Sequence, residues 1–107
     1  MQSRKDSALR LAKKLREELI KNLGGPLEVI LFGSQARGEA TEESDIDVLV
    51  LVPKLEERTL DSILDVAWEV GFEAGKVISV VPATFEEIKR LSVSPFFMVV
   101  EREGIRV

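Results

Sequence analysis

The sequence predicts an α/β (α+β) fold, a small sheet flanked by helices. Three observations carry that expectation. Segments with helical apolar spacing alternate with short apolar runs of strand length. Glycine, proline and polar clusters separate them. The chain has 107 residues, 45% of them hydrophobic, which suits one core and one domain over residues 1–107.

The elements follow in order. Ala8, Leu11, Ala12, Leu15, Leu19 and Leu23 recur at helical spacing and predict an amphipathic helix from Ser7 to Leu23. Asn22 and Gly24-Gly25-Pro26 stop it. Leu27 to Phe32 is a mostly continuous apolar run between Pro26 and Gly33, as in a strand covered on both faces. Gly33 to Gly38 predicts a turn leading into a short helical piece, and Ala40 to Ser44 a polar loop. Asp45 to Val52 is a second strand, closed by Pro53. A helix from Leu55 to Phe72 would bury Leu60, Ile63, Leu64, Ala67, Trp68 and Gly71 or Phe72. Val77 to Val81 is a third strand, closed by Pro82. Thr84 and Glu87 have capping-box spacing, which starts a helix reaching Leu91. Ser94-Pro95 starts another, with serine as cap and proline in the first turn. Gly104 ends it, leaving Ile105 to Val107 as a short edge strand.

Composition removes several chemistries. With no cysteine there are no disulfides and no thiolate metal sites, and with no histidine the usual neutral-pH acid–base is absent. Carboxylate oxygen remains for metal binding, which suits magnesium, manganese or calcium. No apolar run approaches the roughly 20 residues of a membrane helix, and the N-terminus is polar, so a cytoplasmic location and no membrane partner are expected. The net charge of −4 argues against general nucleic-acid binding. Residues 1–22 nonetheless hold seven bases against three acids, either as a solvated helix face or as a basic face for a nucleotide, an RNA or an acidic partner.

The chemistry concentrates in one segment. Residues two apart on a strand point to the same face, so Asp45 and Asp47 project side by side. The run from Ile46 to Val52 marks their strand as buried. Paired carboxylates at the end of such a strand repel each other and are costly to desolvate, and a divalent cation between them removes that cost. Carboxylates also stand at solvated strand ends for no special reason, so the pair takes its meaning from its neighbours. Gly33-Ser34 follows an apolar strand and precedes a helical piece. Glycine admits a phosphate close to the backbone, free helix-start amides attract anions, and the Ser34 hydroxyl adds a donor. A phosphate cradle on one strand end and a carboxylate pair on the next are the two halves of a metal–triphosphate site.

Gly33-Ser34-Gln35-Ala36-Arg37-Gly38, five further residues, and then Ser44-Asp45-Ile46-Asp47-Val48-Leu49-Val50 resemble the signature of the minimal nucleotidyltransferases, within the DNA polymerase β-like nucleotidyltransferase superfamily. The resemblance implies a polymerase β palm-like fold, a mixed sheet flanked by helices. It implies that Gly33 and Ser34 contact a nucleoside triphosphate, ATP first among them. Arg37 would assist near the phosphates, although an ion pair with Glu39, Glu42 or Glu43 is the ordinary alternative. Asp45 and Asp47 would be catalytic and would hold Mg²⁺ or Mn²⁺. The implied reaction transfers AMP from ATP to an acceptor hydroxyl and releases pyrophosphate. Ser44 reads as a turn residue.

One departure matters. By resemblance, the strand after the paired aspartates carries a third carboxylate. Here that strand holds only Ser79 as a polar residue. A neutral hydroxyl is a poor Mg²⁺ ligand and no base at neutral pH. Glu73, near the start of the strand, is the substitute if the register shifts, and a surface residue otherwise. Stand-alone domains of this family often pair with a small helical protein of the HEPN type, as antitoxin to toxin. The second reading is therefore a catalytically weak, nucleotide-binding antitoxin-like module. Phe96 to Val100 form an apolar patch that serves as core or as a homodimer contact.

Overall fold

The structure is a computed structural model and describes residues 3–107. The elements are α1 (Arg4–Leu23), β1 (Glu28–Phe32), α2 (Gly33–Arg37), β2 (Ile46–Val52), α3 (Glu57–Ala74), β3 (Ile78–Thr84), α4 (Phe85–Arg90), α5 (Pro95–Glu103) and β4 (Ile105–Arg106). One four-stranded mixed sheet runs in the order β3-β2-β1-β4. β1 is antiparallel to β2 and β4, while β2 and β3 are parallel. The parallel pair requires a crossover, which α3 supplies.

The sheet separates two apolar layers. Val29 and Leu31 of β1 and Ile46, Val48, Val50 and Val52 of β2 pack against α1 and α3. Leu49, Leu51 and Ala83 face the other way, with Val100 of α5 and Phe85 and Ile88 of α4. Strand alternation fixes this partition. Asp47 has the parity of Leu49 and Leu51, so it lies on the face opposite α1 and α3.

The local signals form the predicted caps. The Thr84 side chain accepts from the Glu87 amide while the Glu87 carboxylate accepts from the Thr84 amide, a complete capping box. Ser94 caps α5 with Pro95 in its first turn. α1 starts three residues earlier than its apolar spacing predicts. Ser3 accepts from the Asp6 amide at 3.0 Å and opens the helix at Arg4.

Three segments differ from expectation. α3 buries Ile63, Val66, Ala67, Val70 and Gly71, whereas Leu64, Trp68 and Phe72 are exposed. The helix carries two apolar rows, and the sheet takes the one with the smaller side chains. Gly71 permits this, because a Cβ there would strike the Lys76 carbonyl oxygen at 2.6 Å. β3 continues through Pro82 to Thr84, since an edge strand tolerates proline where no ladder partner is required. The Phe96–Val100 patch is divided: Val100 is buried and Phe97 packs beneath it, while Phe96, Met98 and Val99 remain exposed.

Candidate active site at the open end of the sheet

The three strand ends that matter lie side by side. Phe32 of β1 is the register partner of Asp47, and Asp47 is in turn the partner of Ser79 on β3. Asp45 stands one residue before β2 begins, on the same side as Asp47. Its Oδ2 accepts a hydrogen bond from Ser79 Oγ at 3.3 Å. The sequence-predicted pair and the serine of the next strand are thus brought together.

Gly33 joins them from the other side. It has φ +75°, the left-handed region that favours glycine, and the space a Cβ would occupy is filled by Asp47 Oδ2. The turn from β1 into α2 therefore closes against a carboxylate. Ser34 is half-buried in the first turn of α2, whose cap, Phe32, supplies no side-chain acceptor.

Electrostatics follow from this crowding. Burial, and next the negative charge of Asp45, push the Asp47 carboxyl above its ordinary value, while Arg37 pulls it down. Arg37 is exposed, and its guanidinium donates to the Glu39 carboxylate and, at 3.4 Å, to Glu103 of α5. Those acceptors, Glu39 foremost, hold its proton more tightly still. Arg37 is close enough to influence Asp47 yet is engaged by two acids, of which only Glu39 was foreseen.

The loop that carries Asp45 is pinned at Ser44. The Ser44 hydroxyl accepts from the Thr41 amide at 2.9 Å, and the Ser44 amide returns to the Thr41 carbonyl at 3.2 Å, a turn as expected. Gln35, 3% exposed, donates from Nε2 to the Ser44 carbonyl over a long 3.5 Å. It ties α2 to the Asp45 loop. Sequence reasoning missed this contact, because glutamine in a short polar helix reads as surface. Glu73 is no substitute ligand here. It lies on α3 and pairs with Lys14 at 3.3 Å.

The donor set fits a hard divalent cation. Asp45, Asp47 and Ser79 offer only oxygen, and a cation would offset both the burial and the mutual repulsion that raise the Asp47 pKa. Among the described residues no group of three or more acids, cysteines or histidines gathers to hold a metal. Two carboxylates alone would leave a bound cation open to further oxygen ligands.

Comparison with known proteins bears on the family and the fold. The model of the nucleotidyltransferase domain family matches residues 12–103. A bifunctional uridylyltransferase/uridylyl-removing enzyme of Burkholderia lata is 31% identical over 91 residues, covering 76% of this chain and 11% of that protein. Its counterpart in Burkholderia thailandensis is 35% identical over 69 residues, covering 61% of this chain and 8% of its own length. The chain thus spans about a tenth of these curated relatives. Among solved structures, a nucleotidyltransferase candidate from Sulfolobus solfataricus superposes with TM-score 0.62 at 22% identity, over 96% of this chain and 81% of that one. A chain of a mutant MntA–HpeT toxin–antitoxin structure gives TM-score 0.59 at 21% identity, over 89% and 70%. A toxin–antitoxin structure determined with AMP-PNP gives 0.58 at 19% identity, over 88% and 70%. The structural likenesses concern the fold, and the family match spans most of the chain. With the family model covering residues 12–103, this chain belongs to the nucleotidyltransferase domain family.

Proposed function

We propose that the chain transfers a nucleoside monophosphate, AMP from ATP, to an acceptor hydroxyl, with Mg²⁺ or Mn²⁺ held by Asp45 and Asp47. The observation that carries this reading is Asp47 Oδ2 lying against Gly33, which sets the carboxylate pair beside the turn where phosphates would approach. The Gly33 and Ser34 amides and the Ser34 hydroxyl would hold the outer phosphates, and Arg37 would leave Glu39 or Glu103 to meet them. The bound metal would supply charge neutralisation at the triphosphate. The acceptor oxygen bonds to the α-phosphorus, the bond from that phosphorus to the bridging oxygen breaks, and pyrophosphate leaves. The hydroxyl proton, with no third carboxylate to receive it, passes to water.

A second reading has its own observation. Ser79 faces Asp47 and binds Asp45, at the position where the family resemblance implies a carboxylate. A site so built binds a metal–nucleotide and turns it over poorly. The chain would then act as an antitoxin-like module on a HEPN-type partner, or as a homodimer through the exposed residues of α5. The fold neighbours from toxin–antitoxin structures favour a protein partner.

Incubation with each α-labelled nucleoside triphosphate, Mg²⁺ and the protein encoded next to this chain separates the readings. Label from ATP on that protein, with equimolar pyrophosphate and loss in Asp45→Asn, supports transfer. ATP bound without label on any acceptor supports the binding module. Label from UTP alone overturns the choice of AMP.

A further inference from the structure

The face of α3 turned away from the core carries two parallel rows. Leu60, Leu64, Trp68 and Phe72 recur every fourth residue. Leu64, Trp68 and Phe72 are 47%, 65% and 69% exposed, and the Trp68 and Phe72 rings stack with centroids 5.0 Å apart. Beside this row runs a second at the same spacing, Glu57, Asp61, Asp65, Glu69 and Glu73, all exposed. Among the described residues, Asp61, Asp65 and Glu69 form no ion pair. On the other flank of the apolar row, a groove of about 310 Å³ opens between α3 and the edge strand β3, walled by Trp68, Phe72, Val77 and Val80, with Lys76 also on its wall.

A contiguous exposed aromatic and aliphatic row of this kind marks a contact surface. Its charge identifies the partner. A second copy docking α3 on α3 would set one acidic row against another, at a cost. A complementary occupant has an apolar seam for the groove and basic side chains for the acids.

We propose that this face of α3 docks an amphipathic helix of another protein whose apolar seam is flanked by lysine and arginine. The seam enters the groove between α3 and β3, and the bases meet Asp61, Asp65 and Glu69. The proposal does not depend on nucleotidyl transfer. The face is separate from Asp45 and Asp47, and it would serve an inactive module equally.

Trp68 is the only tryptophan, so its fluorescence reports docking directly. The probes are two helical peptides of about 20 residues, with identical leucine seams and either lysine or glutamate at the flanks. The lysine peptide is expected to shift Trp68 emission to the blue and bind at least about tenfold more tightly than the glutamate peptide. With dye-labelled peptide, Trp68→Ala and Phe72→Ala are each expected to lose about tenfold or more. Asp65→Lys with Glu69→Lys is expected to reverse the preference between peptides. That variant removes no apolar contact, so it keeps the test decisive should Trp68→Ala misfold. No binding of either peptide, or equal binding of both, overturns the proposal. So does a wild-type dimer in sedimentation velocity that Trp68→Ala dissolves, which would assign the face to a second copy.

Discussion

Ser79 Oγ donates to Asp45 Oδ2 at 3.3 Å from the strand that pairs in parallel with β2. A hydroxyl, not a carboxylate, therefore stands beside the aspartate pair on the neighbouring strand. If its lack of charge limits turnover, Ser79→Asp completes a carboxylate triad in the present register. Single-turnover transfer measured with labelled ATP is expected to rise about tenfold or more. Ser79→Ala is expected to leave Mg²⁺–ATP affinity within about twofold, since a neutral hydroxyl contributes little to a metal shell.

Gly33 tests the closeness of the cradle. Any side chain there meets both a left-handed backbone and the Asp47 carboxylate. Gly33→Ala is expected to lower stability by at least about 1–2 kcal/mol from the backbone alone, read by urea denaturation, and to weaken ATP binding. An alanine variant of unchanged stability and affinity would show that the approach is not tight.

The Asp47 carboxyl is pushed above its ordinary value by partial burial and then by the charge of Asp45. A carboxyl whose folded pKa is raised costs stability when ionised. That cost is present above the folded pKa and disappears as pH falls through it. Without metal, Asp47→Asn is therefore expected to melt higher than wild type at neutral pH, with the gap closing in acid. Mg²⁺ with ATP reverses the order, because only the wild type gains linkage stabilisation, about 2.7 kcal/mol at a hundredfold excess over Kd. Thermal melts across pH with and without Mg²⁺–ATP check both signs.

Arg37 is expected to matter for the ligand and not for the fold. Its pairs with Glu39 and Glu103 are exposed, and such pairs add little. Arg37→Ala should melt close to wild type while ATP binding weakens about tenfold. A large drop in melting temperature with unchanged affinity would return Arg37 to a purely structural pairing.

The two rows of α3 make opposite predictions. Ile63 is fully buried, so Ile63→Ala is expected to cost about 2–5 kcal/mol. Trp68→Ala, on the exposed row, is expected to cost within about 0.5 kcal/mol. Equal losses in denaturant melts would contradict the observed rotation of the helix.

That rotation marks what the sequence could not reveal. Caps were legible because Thr84, Glu87, Ser94 and Pro95 act within four residues of themselves. The strand–turn–strand motif was legible for the same reason, its glycines and aspartates being short-range constraints. α3 has apolar residues on two sides of one helix, so periodicity alone could not choose between them. The choice falls to the close approach of Gly71 to the Lys76 backbone, a tertiary fact. Likewise Pro82 reads as a strand end until β3 is known to be an edge. Gln35 reads as surface until the Asp45 loop folds over it.

The most direct test of the account is a calorimetric titration of ATP with and without Mg²⁺ on wild type and Asp47→Ala. Mg²⁺-dependent binding to wild type is expected, with loss of that dependence in Asp47→Ala. Mg²⁺-dependent binding that survives Asp47→Ala unchanged would contradict it.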